Sequence, residues 1–343
     1  MKKDLLSLQL KIIPEMLELL EKRYQILKNI YYNQPIGRRI LSSKLNMGER
    51  IVRSEISFMK EQGLIDITAY GMRVTKSGKE ILENLTDFIY QMKGLGELEE
   101  KIIKKLDISK AIIVPGNVDE DGSILKEIGR VASSFLKSVV KNNSIIAITG
   151  GSTTAEVANL MSQSSGKSDI MVIPARGGLG REVEKQANNI AAVLAKKLGG
   201  NYRLLHIPDN LSKEAVEALL NEPEIKGIVE LLKKADIFLY GIGRADEMMR
   251  YRNLPAELIE DLEEMGVVSE AFGYYFNIKG EPVYATSSIC LTVKDIAKIG
   301  TKIAVAGGRK KAEAILSVLK SGMMDVLITD EAAARGILNI LDH

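Results

Sequence analysis

The chain has 343 residues, of which 45% are apolar and 27% charged, with a formal net charge of +2 and one cysteine. That length exceeds what one core of ordinary size organises, so we expect two domains, residues 1–92 and 93–343. The single cysteine, Cys290, excludes an intrachain disulfide and a CxxC zinc site, and we expect no metal. There is neither a signal peptide nor an uncharged apolar run of about 18 residues, so we expect a cytoplasmic protein that does not enter a membrane.

The first quarter of the chain carries a basic excess and a recurring order of elements. Between Arg23 and Lys79 there are 11 Lys and Arg against 4 Asp and Glu, whereas residues 93–343 hold 32 against 34. A solvated basic face would give the same charge, so the pattern of elements has to decide. Apolar spacing and turn residues predict, in order, helices over Glu15–Tyr32, Arg38–Leu45 and Glu49–Gln62, strands over Leu64–Thr68 and Met72–Thr75, and a helix over Ser77–Met92.

This order predicts a winged helix-turn-helix that binds double-stranded DNA. The second helix of such a motif presents its N-terminal residues to base edges, and a wing arginine reaches a phosphate or the minor groove. The predicted DNA-binding residues are Arg38, Arg39, Glu49, Arg50, Arg53, Ser54 and Arg73. The alternative, a three-helix protein–protein module, explains neither the wing nor the charge. We interpret Ser77–Met92 as a linker helix packed between domains or across a dimer. Because operators are usually palindromic, we expect a dimer or a higher assembly.

Residues 93–343 alternate short apolar runs with helical segments, which predicts a doubly wound α/β domain with a parallel sheet buried on both faces. Ligands of such sheets bind beyond the carboxyl ends of the strands. The predicted strands are Ala111–Val114, Ile145–Thr149, Ile170–Pro174, Tyr202–Ile207, Ile237–Tyr240, Lys302–Ala306 and Val326–Thr329.

The segment SIIAITGGSTT, Ser144–Thr154, reads as a strand, a tight turn and a helix start. Gly150 and Gly151 allow the backbone to approach an anion without a Cβ in the way. Ser152, Thr153 and Thr154 add hydroxyl donors where the first helical N–H groups and the positive end of the helix dipole also point. The segment therefore predicts a phosphate cradle.

Other strand ends carry further glycine pairs with cations beside them. Lys311, after Gly307-Gly308, would hold a second phosphate together with Arg252, while Arg176 of PARGG serves either end. Glu270 is the best-placed carboxylate to read sugar hydroxyls. Glycine pairs alone are often plain tight turns, but the adjacent cations favour a bisphosphorylated or otherwise dianionic ligand.

Catalysis and cofactor binding have little support in the sequence. No G-x-G-x-x-G or G-x-x-x-x-G-K-[ST] motif occurs, and neither His206 nor His343 pairs with a nucleophile motif. Asp330-Glu331 at a strand end is the one acidic pair suited to proton transfer, and we interpret Asp330 as a helix N-cap instead. We therefore expect no catalytic residue and no cofactor.

With both halves in view, the chain resembles the sorbitol-operon (SorC) family of bacterial regulators over essentially its whole length, in PIGRR, PARGGLG, EAFGYYFN, AVAGGRKKAEAI and LITDEAAA. The resemblance implies a winged-helix domain on an effector domain of the sugar-phosphate isomerase-like (NagB/RpiA/CoA transferase-like) type that has lost catalysis. It also implies repression of a glycolytic operon, relieved by fructose-1,6-bisphosphate, with tetramers on the operator.

Carried over by position, the resemblance puts the ligand contacts on Gly150, Gly151, Ser152, Thr153, Arg176, Gly177, Gly178, Glu270 and Lys311. Ser152 departs from the family pattern, in which we expect threonine, but either residue supplies a hydroxyl. Arg252 joins this set from the basic loop, where the choice between Arg250 and Arg252 stays open. Two alternatives also stay open: a regulator of the same family that senses a sugar monophosphate, and a phosphosugar isomerase-like enzyme.

Overall fold

A computed structural model describes residues 12–163, 166–177, 182–208, 211–289 and 291–342. The chain divides into an N-terminal unit, Met1–Leu95 with Asp121–Ser123, and a C-terminal unit, Gly96–Glu120 with Ile124–His343. In the described part of the chain, no helix combines the length and the apolar character needed to cross a membrane.

The N-terminal unit has the predicted winged helix-turn-helix order, and each element lies within one residue of its predicted bounds. Its elements are helices α1 (Pro14–Asn33), α2 (Arg38–Leu45) and α3 (Glu49–Glu61), strands β1 (Ile65–Thr68) and β2 (Gly71–Val74), and helix α4 (Lys76–Met92). The two strands pair antiparallel to form the wing. Thr75 caps α4 by accepting a 3.0 Å hydrogen bond from the N–H of Gly78.

One apolar core joins the helices of this unit to the wing. It contains Ile30 of α1, Ile56 of α3 and Met72 of β2, all nearly inaccessible to solvent. Leu82 and Ile89 of α4 belong to the same core. The apolar stripe that we interpreted as a linker contact therefore contributes to the core of the N-terminal unit.

The C-terminal unit is built on a seven-stranded sheet in the order β3-β13-β12-β7-β4-β5-β6, in which all neighbours are parallel. Its strands are β3 (Lys110–Val114), β4 (Ile145–Ile148), β5 (Met171–Pro174), β6 (Asn201–Tyr202), β7 (Ile237–Gly241), β12 (Thr301–Val305) and β13 (Val326–Asp330). Six of the seven lie within one residue of the predicted bounds, so the doubly wound sheet is confirmed.

The exception is the predicted strand Tyr202–Ile207, which pairs only over Asn201–Tyr202. The N–H of Leu205 donates to Asn188 Oδ1 at 2.8 Å, and Asn188 Nδ2 donates to the carbonyl oxygen of Leu205 at 3.1 Å. Because a side chain takes both backbone groups of Leu205, the segment does not extend the ladder.

A second, antiparallel sheet in the order β11-β10-β9-β8 was not predicted. Its strands are β8 (Gly243–Arg244), β9 (Val267–Ala271), β10 (Tyr274–Asn277) and β11 (Pro282–Ala285). Glu270 lies within β9.

Helices cover the large sheet, and its main core contains Ile146 and Leu239 from the strands and Ile128 and Leu194 from the helices. The helices with residues in this unit are α5 (Leu95–Leu106), α6 (Ser123–Val139), α7 (Ser152–Leu160), α8 (Ala187–Leu198), α9 (Lys213–Asn221), α10 (Pro223–Leu232), α11 (Ala245–Tyr251), α12 (Ala256–Glu264), α13 (Val293–Ile296), α14 (Ala312–Lys320) and α15 (Glu331–Asp342).

Candidate functional site

A cavity of about 430 Å³ opens beyond the carboxyl ends of β4, β5 and β7. The structure brings nine of the ten predicted ligand residues into its wall: Gly150, Gly151, Ser152, Thr153, Arg176, Gly177, Arg252, Glu270 and Lys311. The tenth, Gly178, lies outside the described residues. Arg250, the alternative to Arg252, has an exposed side chain that approaches Asp246 within 3.7 Å and is not part of the wall.

The predicted phosphate cradle forms the turn between β4 and α7. Gly151 has a φ of +132°, which favours glycine, and a Cβ on Gly150 would stand 2.6 Å from the carbonyl oxygen of Lys185. That carbonyl also accepts a 2.9 Å hydrogen bond from the N–H of Gly151. The first intrahelical bond runs from Ala155 to Gly151, so the N–H groups of residues 152–154 precede the helical ladder.

The three hydroxyls that follow Gly151 have different environments. Thr154 is fully buried and donates a 3.1 Å hydrogen bond to the carbonyl oxygen of Gly151, which stabilises the turn. Thr153 is buried at the cavity wall, and Ser152 is exposed there. The hydroxyls suited to a ligand are therefore those of Ser152 and Thr153.

Glu270 joins two arginines at the base of the cavity. Its Oε1 accepts hydrogen bonds from Arg252 Nη2 at 2.9 Å, the Gly273 N–H at 2.9 Å and Arg176 Nη1 at 3.4 Å. Arg176 also contacts the Thr286 hydroxyl at 3.5 Å. Two guanidinium groups therefore share one carboxylate at a buried position. A carboxylate with these partners orients the arginines as well as offering an oxygen to a ligand.

Lys311 lies at the other side of the cavity, at the end of a short 3₁₀ turn over Arg309–Lys311. Its Nζ donates a 3.0 Å hydrogen bond to the carbonyl oxygen of Ile242, and it forms no ion pair within the described ranges. Burial lowers the pKa of its ammonium group, although Glu247 and Asp119 act in the opposite direction. An anion in the cavity would supply the missing countercharge.

The loop that carries Lys311 already binds carboxylates of the chain itself. The N–H of Gly308 donates to Asp330 Oδ2 at 2.8 Å, and the N–H of Lys310 donates to Asp119 Oδ2 at 3.0 Å. At this loop the side chain of Lys311, and not the backbone after Gly307-Gly308, is the group that faces the cavity.

Asp330 is completely buried and holds three backbone N–H groups. Besides that of Gly308, it accepts from Val118 at 2.7 Å and, through Oδ1, from Ala333 at 2.9 Å. The Ala333 contact confirms the predicted N-cap. Burial raises the pKa of this carboxyl group by more than the three N–H donors lower it, so the net pKa is raised.

Other cavity residues lacked a sequence signal. Lys185 ends a 3₁₀ turn over Val183–Lys185, Gln186 follows that turn, and both line the cavity. Glu247 and Tyr251 of α11 line it as well. No glycine pair or periodic pattern marks these positions, because they reach the cavity only through the tertiary fold. The basic loop around Arg252 was the one indirect sign of α11.

On the N-terminal unit, all seven predicted DNA-binding residues are exposed: Arg38, Arg39, Glu49, Arg50, Arg53, Ser54 and Arg73. Exposed apolar residues that we did not predict accompany them, among them Ile51 on α3 and Tyr70 at the wing tip, which is 87% exposed. In the major groove, an exposed aliphatic side chain such as Ile51 is suited to a thymine methyl group.

The buried side of α3 is fixed by charge as well as by apolar packing. Glu55 Oε1 lies 2.6 Å from Lys22 Nζ, and Glu55 Oε2 lies 2.8 Å from Arg23 Nε. The Arg23 guanidinium lies 3.7 Å from the centre of the Phe58 ring. Glu55 is buried, which raises its pKa, but the hydrogen bonds and charges of Lys22 and Arg23 outweigh burial, and the net pKa is lowered.

Comparisons with known proteins identify both units. Residues 19–89 match the family model of the CggR N-terminal DNA binding domain, and residues 90–339 match the Sugar-bind model of a sugar-binding domain. The chain is 41% identical to the central glycolytic genes regulator of Bacillus subtilis over 98% of both chains, and 40% identical to that of Priestia megaterium over 98% of both chains. A solved structure of a SorC family transcriptional regulator from Enterococcus faecalis is 38% identical, covers 71% of this chain and 99% of its own, and has a TM-score of 0.66.

The chain belongs to the SorC family of transcriptional regulators. It is a DNA-binding regulator with a sugar-binding domain, and not an enzyme. The full-length sorbitol operon regulator SorC from Klebsiella pneumoniae shares the fold across both units, with a TM-score of 0.66 over 94% of this chain and 98% of its own at 19% identity. Within this SorC-family chain, the ligand contacts and DNA contacts of individual residues stay predictions.

Proposed function

We propose that this SorC-family regulator represses glycolytic genes and that a phosphorylated sugar, most favourably fructose-1,6-bisphosphate, weakens its hold on operator DNA. The observation that carries the proposal is the cavity. One helix N-terminus and the cations Arg176, Arg252 and Lys311 open on the same space of about 430 Å³. This volume lies within the range of about 300–1,000 Å³ that is typical of small-molecule sites.

The charge of the cavity favours an anionic ligand with polar groups between its ends. The N-terminus of α7 offers N–H groups and the hydroxyls of Ser152 and Thr153, which suit one phosphate. Lys311 and Arg252 supply cations for another, and Glu270 supplies the carboxylate that sugar hydroxyls would meet. The curated relatives that are about 40% identical are named central glycolytic genes regulators, which supports glycolytic genes as the target.

A sugar monophosphate is the second candidate, and one observation favours it. The backbone N–H groups of Gly308 and Lys310 already donate to Asp330 and Asp119. The group offered to a ligand at that end of the cavity is therefore the Lys311 side chain. A single ammonium group also suits a sugar hydroxyl or a weaker anion. The two candidates differ in whether the second phosphate contributes to affinity.

We attribute the switch to linkage between ligand and DNA. The ligand favours an arrangement of subunits in which the winged helices no longer match successive half-sites, in a dimer or tetramer in the cytoplasm. By reciprocity, operator DNA must then weaken ligand binding by the same factor, and a coupling of about 1–3 kcal/mol corresponds to roughly 5- to 150-fold.

The testing experiment is a thermal melt of the full chain with fructose-1,6-bisphosphate, fructose-6-phosphate, inorganic phosphate and sulfate. At about 100 times its dissociation constant, a specific ligand adds about 2.7 kcal/mol of stability. We expect the bisphosphate to shift the melting temperature far more than the monophosphate does. Equal shifts with both sugars would favour the monophosphate candidate, and equal small shifts with every anion would contradict both.

The chain offers a matched pair of lysines as a control. Lys311→Met removes the cation in the cavity, whereas Lys310→Met removes the adjacent exposed one. We expect only Lys311→Met to abolish the difference between bisphosphate and monophosphate. The same proteins, titrated onto an operator selected from a random duplex library, should differ in ligand-induced release and not in DNA affinity.

A further inference from the structure

A row of three side chains crosses one face of the small antiparallel sheet. Glu270 on β9 is the register partner of Tyr275 on β10, and Tyr275 is the register partner of Tyr284 on β11. Directly opposed residues of antiparallel strands project on the same face and lie in reach of each other. The centres of the Tyr275 and Tyr284 rings are 5.9 Å apart. The carboxylate that holds the cavity arginines is therefore followed by two tyrosines.

Tyr275 is the buried member of this row. It is 0% exposed, and its ring packs in a cluster with Ala245 and Met249 of α11 and Leu262 of α12. Its hydroxyl has no hydrogen-bond partner within the described part of the chain. Burial, together with the charge of Glu270, raises the pKa of this phenol, so the hydroxyl keeps its proton and remains a donor. Leaving such a group unpartnered lowers the stability of the folded state.

Glu270 has room for another donor. The three hydrogen bonds described above, from Arg252, Gly273 and Arg176, all reach Oε1. Among the described residues, no donor reaches Oε2. A phosphate bound in the cavity would compete with Glu270 for the Arg252 guanidinium, because both are anions and Arg252 lines the cavity. A guanidinium turned to the ligand would leave the buried Glu270 with one charged partner instead of two.

We propose that Tyr275 is a positioning residue for the ligand cavity, whose hydroxyl donates to Glu270 when an anionic ligand draws Arg252 away. The inference rests on the proposed function, since it requires an anion in that cavity. The free protein then carries an unpartnered buried hydroxyl and the liganded protein does not, so Tyr275 strengthens ligand binding without touching the ligand.

The test is Tyr275→Phe in the full chain, with Tyr284→Phe as the matched control from the same row. Removing an unpartnered hydroxyl leaves the ligand-free melting temperature equal to that of wild type or raises it. For fructose-1,6-bisphosphate and for inorganic phosphate, we expect the dissociation constant of Tyr275→Phe to rise roughly tenfold or more, the value of one hydrogen bond to a charged acceptor. Tyr284→Phe should bind both probes as wild type does.

A spectroscopic measurement separates this role from a general loss of packing. The chain contains no tryptophan, so its near-ultraviolet difference spectrum on adding ligand reports tyrosines. Because Tyr251 also lines the cavity, we expect a ligand-induced change that is smaller in Tyr275→Phe than in wild type and of full size in Tyr284→Phe.

Two results would overturn the inference: an unchanged dissociation constant in Tyr275→Phe, or a lowered ligand-free melting temperature, which would mean that the hydroxyl already has a partner. Wild type that binds neither probe would contradict the proposed function itself.

Discussion

The ammonium group of Lys311 donates a 3.0 Å hydrogen bond to the carbonyl oxygen of Ile242 at the wall of the ligand cavity. A carbonyl oxygen carries only a partial charge, so it compensates a buried cation incompletely. Accordingly, burial lowers the pKa of Lys311 from the ordinary value of 10.5. The site is therefore prepared for an anion before any ligand arrives.

This arrangement predicts how ligand affinity depends on pH. A bound phosphate favours the charged ammonium and raises the pKa of Lys311 above its value in the free protein, so binding takes up protons between the two values. Affinity for fructose-1,6-bisphosphate should therefore fall as pH rises from 7 through the lowered pKa of Lys311. The measurement is a calorimetric titration at several alkaline pH values, where the charge of the phosphates is constant.

Lys311→Arg is the informative variant for this prediction, because arginine stays protonated throughout the range. We expect the affinity of Lys311→Arg for fructose-1,6-bisphosphate not to fall as pH rises, whatever its value at pH 7. A decline of equal slope in both proteins would assign the titration to another group.

The Thr153 hydroxyl is expected to contact the first phosphate. Thr153→Ala should weaken binding of fructose-1,6-bisphosphate by roughly tenfold or more, since hydrogen bonds to charged groups contribute about 1.5–3 kcal/mol. Thr153→Ser keeps the hydroxyl and should retain affinity. Operator binding, measured by fluorescence anisotropy without ligand, should be normal in both. If Thr153→Ala loses operator binding while its ligand affinity stays intact, the cradle assignment is wrong.

Most elements of this fold follow from local sequence, and the reasons are visible in particular segments. The spacing of apolar residues predicted the bounds of α1 to α4 and of six strands of the parallel sheet to within one residue. Buried residues recur about every 3.6 residues in a helix, and a strand buried on both faces is a continuous apolar run. The small sheet escaped prediction because β8 has only two residues and Glu270 lies in a strand with no alternating pattern.

The close contacts of the site were beyond local sequence. Gly307-Gly308 beside three cations has the composition of an anion-binding loop, yet Asp119, 191 residues before Lys310, occupies the Lys310 N–H. Likewise, nothing near Gly151 indicated that its N–H donates to Lys185. Glycine and cation patterns identified which loops meet at the cavity, whereas the partners of each backbone group depend on segments far apart in the chain.

The ion pairs of Glu55 predict an acid-sensitive N-terminal unit. The lowered pKa of Glu55 in the folded state means that its contribution to stability is present above the ordinary value of 4.5 and is lost as pH falls through the lowered value. Glu55→Gln should destabilise this unit by about 1–3 kcal/mol at pH 7, since Lys22 and Arg23 lose a buried partner.

The measurement for Glu55 is a denaturant melt of the full chain, followed by a signal from the N-terminal unit, at neutral and acidic pH. The difference between wild type and Glu55→Gln should shrink as pH falls below about 4. Glu61→Gln, an exposed carboxylate at the end of the same helix, is the matched control and should match wild type at every pH. A pH-independent difference for Glu55→Gln would mean that the side-chain volume, and not the charge, stabilises the unit.

The arginines of the N-terminal unit are expected to divide into two classes by salt dependence. Arg50 and Arg53 lie exposed near the start of α3, where side chains meet base edges, whereas Arg73 lies on the wing, where a phosphate is the nearer partner. Arg73→Ala should weaken binding to specific and random duplexes alike and reduce the slope of log affinity against log salt by about 1. Arg53→Ala should weaken binding to the specific operator by about 1–3 kcal/mol and binding to random DNA by less.

Lys60→Ala, at the far end of α3, is the control and should change neither the affinity nor its salt dependence. Equal losses on specific and random DNA for Arg53→Ala would place that side chain on the phosphate backbone and move base recognition to other residues, for which exposed Ile51 is the first to substitute.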